Sequence, residues 1–232
     1  MKQLQKLPRI SLLLMMVGFV PLTTTNSYAD TGHACWSPHC YATTQGKACP
    51  TCGFLAESGV YSNGLVRNIT VPSGHGTVNA NWVVFFTNEW VEAGWEKGEW
   101  ASCGTNAVST PRYYARDAVG TASSMCDTTT AASGSPVIEV SDTNKDGTWL
   151  HKINGVTKLT TTTPGYTYGY LLAGGESSHS SSQMDSKFSS LAYYGTSWQS
   201  WPAASIIHQD APYSVSWCTN PTSFAYGGSP TC

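Results

Sequence analysis

Residues 88–98 read Asn-Glu-Trp-Val-Glu-Ala-Gly-Trp-Glu-Lys-Gly, and their alternation of apolar and polar side chains is typical of a half-buried β-strand. The residues that share one face, and suit a hydrophobic core, are Val91, Ala93 and Trp95. The opposite face carries Trp90, Glu92, Gly94 and Glu96. This pattern predicts that Glu92 stands on an open face beside an aromatic side chain, where Gly94 leaves room for a ligand to approach.

Similar short runs of β-forming residues continue along the chain, separated by turn signals such as Asn63-Gly64 and Pro164-Gly165. No run shows a sustained helical period. Besides Trp90–Gly98, the predicted strands are Gly59–Thr70, Asn81–Phe86, Arg112–Arg116, Val137–Val140, Thr148–Ile153, Tyr166–Ala173 and Ser189–Tyr194. Many short strands in one chain of this size predict an all-β fold, a two-sheet antiparallel sandwich.

The N-terminal residues have the features of a secretory signal peptide. A basic start is followed by the apolar run 10–20, and Ser27-Tyr28-Ala29 is typical of a cleavage site. The run is too short to span a membrane, so we expect a secreted, extracellular protein with no membrane span. We predict a signal peptide over 1–29, a Cys-rich N-terminal arm over 30–58 and a β-sandwich domain over 59–232.

The charge of the exported chain argues against a nucleic-acid partner. Removal of residues 1–29 takes away three of the twelve basic residues and none of the fourteen acidic ones, which leaves 9 − 14 = −5. Charged residues are only 11% of the sequence, and no basic cluster is present. Nucleic acid and anionic membrane surfaces are therefore poor partner candidates. We also expect a monomer.

The eight cysteines all follow the predicted signal peptide, and an even number in an exported protein predicts disulfides. We expect one or two bridges among Cys35, Cys40, Cys49 and Cys52, followed by Cys103–Cys126 and Cys218–Cys232. Cys49-Pro-Thr-Cys52 resembles a redox motif, but strand-like sequence follows it, which favours a structural bridge. Zinc bound with His33 and His39 is the lesser alternative in an oxidising compartment.

Residues 142–147, Asp-Thr-Asn-Lys-Asp-Gly, match the first half of a calcium loop. The acid that such a loop needs at its twelfth position is replaced by Ile153. A polar hairpin tip uses the same residue types for its backbone conformation. We therefore predict a hairpin between the strands 137–140 and 148–153.

A second informative segment spans residues 166–177, Tyr-Thr-Tyr-Gly-Tyr-Leu-Leu-Ala-Gly-Gly-Glu-Ser. It is a β-rich run that ends in small residues followed by Glu176. Glycines in such a run often mark a close approach to the backbone. Glu92 and Glu176 are thus the two acids that the strand pattern singles out.

Together these segments resemble the glutamic-peptidase domain of neprosin. The resemblance rests on the Val91–Trp95 segment, the aromatic strand 111–114 after it, and the later Gly169-Tyr170 and Gly174-Gly175-Glu176. It extends to small exported bacterial proteins of unknown role. It implies a concanavalin-like or jelly-roll sandwich with a groove across one sheet. It also implies Glu92 and Glu176 as the catalytic pair, with Trp90, Tyr114 and Tyr170 as substrate-binding residues.

The implied chemistry is hydrolysis of a peptide or protein substrate at acid pH, with neither a metal nor another cofactor. Two nearby carboxylates share one proton, so that one acts as a base on water while the other acts as an acid. Two alternatives stay open at this point. The same sandwich serves secreted lectin-like modules that bind carbohydrates or surfaces, and glycoside hydrolases use a carboxylate pair beside aromatic side chains.

Overall fold

The computed structural model describes residues 29–34, 39–49, 51–67, 69–87, 89–100 and 102–232, the first of these ranges by its backbone only. The predicted signal peptide therefore lies outside the described residues, apart from Ala29. The strands are β1 Ala29–Ala34, β2 Cys40–Gln45, β3 Ala56–Glu57, β4 Gly59–Gly64, β5 Gly76–Val84, β6 Trp90–Gly98, β7 Arg112–Asp117, β8 Ser123–Ala131, β9 Val137–Ser141, β10 Thr148–Ile153, β11 Val156–Thr162, β12 Gly169–Ser177, β13 Ser186–Tyr194, β14 Trp198–Ser200, β15 Ile206–Ala211, β16 Ser214–Thr219 and β17 Ser223–Gly227, with a 3₁₀ turn at Thr105–Ala107.

The strands form two sheets, which confirms the predicted all-β sandwich. The first sheet has the order β1-β15-β2-β12-β5-β6-β7-β8, and β3 also pairs with β12. The second has the order β11-β10-β9-β4-β13-β17-β16, and β14 pairs with β13. The strand pairs are antiparallel except for β1 and β15, which run parallel. No helix among the described residues is long and apolar enough to cross a membrane.

The main core lies between the two sheets, and β6 contributes to it as its alternation predicts. Val91, Ala93 and Trp95 are buried there with residues of the opposite sheet such as Trp149 and Phe188. A second, smaller apolar layer covers the outer face of the first sheet. It consists of Val78, Ala80, Trp82, Cys103, Ala107 and Tyr114. Strand β6 is therefore buried on both faces.

The second apolar layer corrects two expectations for the outer face of β6. Glu92 is not on an open face, because only 3% of it is exposed. The space beside Gly94 is taken by the neighbouring strand instead of a ligand. A Cβ atom on Gly94 would lie 2.0 Å from the carbonyl oxygen of Asn79 in β5. The glycine thus permits close strand pairing.

Strand bounds differ from the prediction where glycines or polar residues obscure them. The predicted strand Tyr166–Ala173 is wrong at its end, because β12 continues through Glu176 to Ser177. Gly174 and Gly175 pair with β2 on one side and β5 on the other. A Cβ atom on Gly174 would lie 2.3 Å from the carbonyl oxygen of Ala42, so this pairing needs a residue without a side chain. The strand predicted over Gly59–Thr70 already ends at Gly64.

Three disulfides and one hairpin confirm their predictions. Cys103–Cys126 and Cys218–Cys232 are bonded as expected, and Cys49–Cys52 is a bridge within the N-terminal group. Cys40 is disulfide-bonded as well. Residues 142–147 join the antiparallel strands β9 and β10, and the carboxylate of Asp142 accepts hydrogen bonds from the amides of Asp146 and Gly147.

Candidate active site

A groove with a volume of about 850 Å³ lies on the outer face of the first sheet. Its floor is formed by β12, β5 and β6, which are adjacent in the sheet. One wall is the segment after β6, to which Trp100 and Thr105 belong, and the other is the start of β2. The residues that line it are His39, Tyr41, Thr43, Gly74, Trp82, Val84, Trp90, Glu92, Glu99, Trp100, Gly104, Thr105, Arg116, Leu172, Glu176 and Ser178.

Sheet register brings the two predicted catalytic acids to this groove. Glu92 on β6 lies opposite Trp82 of β5, and Glu176 on β12 lies opposite Val78 of the same strand. Side chains that are an even number of residues apart on a strand share a face. Because 78 and 82 differ by four, both glutamates project from one face of the sheet. They sit on strands separated only by β5.

Glu92 lies at the bottom of the groove. The indole Nε1 of Trp82 donates to its Oε2, and the hydroxyl of Tyr114 donates to the same oxygen at 3.2 Å. Burial, followed by the charge of Glu176, raises the pKa of Glu92 to about 7, and these effects outweigh Arg116 and the indole donors. Glu92 is therefore a neutral acid at acidic pH. Because both donors address Oε2, the proton is best placed on Oε1.

Glu176 has a different environment, and 15% of its side chain is exposed. The hydroxyl of Tyr41 donates to its Oε1 at 3.1 Å, and Nδ1 of His39 lies 2.5 Å from the same oxygen. Burial and the charge of Glu176 raise the pKa of the Tyr41 hydroxyl, which keeps it a donor. Oε1 of Glu176 therefore faces one hydroxyl donor and one imidazole nitrogen.

Glu96 is a third carboxyl group on this face, and the sequence analysis did not nominate it. It is fully buried beneath the wall segment, and its Oε1 accepts a hydrogen bond of 2.6 Å from the amide of Cys103. Its Oε2 is buried without a partner among the described residues. Burial raises the pKa of Glu96 to about 8. Glu96 lies four residues after Glu92 in the same strand, so the sequence already indicated that the two side chains share a face.

The three predicted substrate-binding residues have different positions. Trp90 lines the groove and is partly exposed, with the guanidinium of Arg116 5.5 Å from the centre of its ring. Tyr114 is completely buried, and it contacts Glu92. Tyr170 shares the face of Glu176 but lies beyond the groove lining, where it packs edge-on against Phe54 and Phe86.

Several groove residues were missed because the strand pairing that assembles them cannot be read from sequence. Trp82 has the right alternation within β5, so a signal existed for it. His39 and Tyr41 belong to the stretch that was assigned to the N-terminal arm, and they reach the groove only because β2 pairs with β12. Trp100 follows β6 and comes back over the sheet.

The opposite sheet supports the back of β6 with a buried histidine. Nδ1 of His151 lies 2.9 Å from the carbonyl oxygen of Glu92, and Nε2 lies 3.2 Å from the hydroxyl of Thr161. A carbonyl oxygen only accepts, so the proton is on Nδ1 and Nε2 accepts from the threonine. Burial lowers the pKa of His151 to about 4. The neutral imidazole of His151 therefore donates to the carbonyl of Glu92 and holds the backbone of β6 in place.

Comparisons with known proteins identify structures with a similar fold, but they do not show a family for this chain. No family model matches the chain, and no curated protein matches it either. Among solved structures, the chain matches Scytalido-glutamic peptidase with a peptide-based transition-state analogue at a TM-score of 0.52 and 11% identity, over 82% of this chain and 98% of that one. A second structure of that peptidase, with a transition-state analogue inhibitor, gives 0.49 and 10% over the same shares. SCP-B, an Eqolisin-family peptidase in complex with Ala-Ile-His, gives 0.47 and 11%, again over the same shares.

The first of these matches shows a glutamic-peptidase-like fold. At 11% identity it shows the fold alone. It does not test the narrower resemblance to neprosin, which stays a prediction.

Proposed function

We propose that this protein is a glutamic-type endopeptidase that hydrolyses peptide bonds at acid pH with Glu92 and Glu176. The observation that carries the proposal is that both carboxyl groups line one groove in different environments. Glu92 is buried and neutral in acid, whereas Glu176 is partly exposed, accepts from the hydroxyl of Tyr41 and pairs with His39. One acid and one base in a single groove is the arrangement that hydrolysis needs.

Glu176 is assigned as the general base and Glu92 as the general acid. Glu176 takes a proton from a water molecule, and the water oxygen attacks the carbonyl carbon of the scissile peptide. Glu92 donates its Oε1 proton as the carbon–nitrogen bond breaks and the amine leaves. The products are a carboxylic acid and an amine. Glu176 then releases its proton to solvent and Glu92 takes one up from solvent, which restores the starting state of the pair.

Export to an oxidising compartment is part of the proposal. The described cysteines are disulfide-bonded, as is usual for secreted proteins. Secretion would bring the groove into contact with unfolded or foreign proteins in acidic surroundings.

The test is cleavage of a denatured protein from about pH 2 to about pH 8, followed by mass spectrometry of the products. We expect cleavage in acid that falls as Glu92 loses its proton near pH 7. Glu176→Gln and Glu92→Gln each reduce kcat/KM by about 10²-fold or more, because each removes one proton-transfer group. Glu57→Gln, on strand β3 outside the groove lining, retains activity. An inactive wild type, or cleavage that survives both substitutions, contradicts the proposal.

Carbohydrate binding is the second candidate, because Trp82, Trp90 and Trp100 line the groove and aromatic rings stack on sugars. The two candidates separate in a thermal-shift assay on Glu176→Gln, which binds but does not turn over. A peptidase groove is stabilised by a denatured polypeptide or peptide mixture. A lectin-like groove is stabilised by oligosaccharides and not by peptides.

A further inference from the structure

Glu176 is held from the side of the groove that the N-terminal part of the chain supplies. In the register of β2 and β12, Tyr41 lies directly opposite Glu176, and His39 comes immediately before β2. Tyr41 and His39 both address Oε1 of Glu176, at 3.1 Å and 2.5 Å. The second oxygen, Oε2, makes no hydrogen bond with any of the described residues.

The imidazole ring of His39 is fixed by aromatic contacts on two sides. Its centre is 5.6 Å from the ring of Trp100, which meets it edge-on, and 6.4 Å from the stacked ring of Tyr41. Trp100 belongs to the wall segment after β6, so the ring joins both walls of the groove. Its side chain is 39% exposed, which keeps it in contact with solvent.

We propose that His39 is a positioning residue for Glu176, and that as an imidazolium it forms an ion pair through Nδ1 with Oε1 and so holds the carboxylate with Oε2 free to take the proton of water. This inference rests on the proposed function, because it explains how the base stays a base in acid. The carboxyl group of Glu92 accepts only from neutral donors, whereas that of Glu176 lies beside a histidine. This difference assigns Glu92 as the acid and Glu176 as the base.

The surroundings of His39 agree with a charged ring. The hydrogen bond to Glu176 and the charge of that carboxylate raise the pKa of His39, against the opposing effect of partial burial. Tyr41 on β2 and Glu99 in the groove lining are the other titratable groups nearby. Two titratable groups of β15 lie beyond Tyr41. Asp210 accepts a hydrogen bond from the amide of Tyr41, and the ring of His208 packs edge-on against Tyr41.

The first measurement is the pH profile of kcat and KM for His39→Asn. Without the cation the acidic limb of the profile moves upward by about one pH unit, because the carboxylate of the base loses the positive charge beside it. The maximal kcat falls by about tenfold with KM nearly unchanged, since the substitution acts through the base. His208→Asn is the matched control, because His208 is equally exposed and also pairs with a buried acid, Asp210, at 3.6 Å. It keeps the wild-type profile.

A second measurement does not depend on activity. The imidazole of His39 is titrated by NMR in the wild type and in Glu176→Gln, and its midpoint falls in the variant because the neighbouring carboxylate is removed. The inference is overturned if the enzyme is active but His39→Asn leaves the acidic limb unchanged, or if Glu176→Gln does not change the midpoint of His39. Either result leaves the proposed function standing. A wild type that cleaves no substrate at any pH overturns the proposed function, and the inference with it.

Discussion

At the scale of single residues, Glu92 and Glu176 have the same side chain but opposite electrostatic surroundings. Ionising a fully buried carboxyl group is costly, and the two neutral donors on Oε2 of Glu92 offset only part of that cost. Glu176 keeps some exposure to solvent, and it has a histidine at 2.5 Å. Environment, and not residue type, therefore decides which acid donates a proton and which accepts one.

The hydroxyl of Tyr114 provides a test of this view. It donates to Oε2 of Glu92, which favours the ionised acid, so Tyr114→Phe raises the pKa of Glu92 further. We expect the alkaline limb of the cleavage profile to move upward by about half a pH unit. Tyr113→Phe is the matched control, because that hydroxyl donates to the carbonyl of Ser133, on the other side of the strand. A downward shift in Tyr114→Phe, or equal shifts in both variants, would contradict the assignment.

At the scale of elements, the wall segment after β6 makes a groove out of a sheet face. It is tied to β8 by the bridge Cys103–Cys126, and Glu96 holds it from below through the amide of Cys103. The 3₁₀ turn Thr105–Ala107 packs Ala107 into the apolar layer over the sheet. The wall therefore depends on long-range contacts more than on its own local structure.

Removal of this bridge should affect both stability and activity. A bridge that closes a loop of 23 residues contributes about 3 kcal/mol, so Cys103→Ala combined with Cys126→Ala lowers the free energy of unfolding by about that amount. Because the wall is released, kcat/KM also falls, by about tenfold or more. Both effects are measured by urea unfolding and by peptide cleavage at a temperature where the variant stays folded.

The disulfide near the C-terminus supplies the control. Cys218–Cys232 closes a loop of 14 residues, and neither cysteine lines the groove. Its double alanine variant loses stability but keeps kcat/KM. If both pairs of substitutions reduce activity equally, or if the first leaves it intact, the wall does not have the role that we assign to it.

Element boundaries were predictable where turn residues flank a run of β-forming residues. β6 and β10 match their predictions at both ends, because Gly98 ends the first and the second lies between Gly147 and Asn154-Gly155. β8 and β11 were missed, since they are rich in Ser and Thr and mostly exposed, so no buried face marks them. The end of β12 was missed because its two glycines read as a loop, although they allow β2 and β5 to approach closely.

At the scale of the whole molecule, the groove joins residues that are distant in sequence. Strand order β2-β12-β5-β6 places residues 41, 176, 78 and 96 side by side. The sequence predicted the two acids through local alternation and family resemblance. It did not predict His39, Tyr41 or Trp100 as their neighbours, because strand pairing over more than 100 residues leaves no local pattern.

Global stability should also respond to pH through Glu96. The folded protein holds this proton up to about pH 8, whereas the unfolded chain releases it near pH 4.5. Stability from this group is therefore complete below about pH 4.5 and is lost as pH rises toward 8. Glu96→Gln has no titratable group at this position, so its free energy of unfolding falls less between these pH values, by on the order of 5 kcal/mol.

This prediction is checked by urea unfolding at both pH values. Glu57→Gln, on the short and partly exposed strand β3, keeps the wild-type pH dependence. A Glu96→Gln variant that loses as much stability as the wild type would show that Glu96 does not carry a proton in the folded protein.

The central claim, that Glu92 and Glu176 form a coupled acid and base in one groove, is tested most directly by ¹³C NMR titration of the glutamate carboxyl groups. We predict a resonance that titrates near pH 7, that is missing in Glu92→Gln, and whose midpoint moves downward in Glu176→Gln because the charge of Glu176 helps to raise it. A Glu92 carboxyl group that titrates near its ordinary pKa of 4.5, or whose midpoint does not respond to Glu176→Gln, would contradict the account.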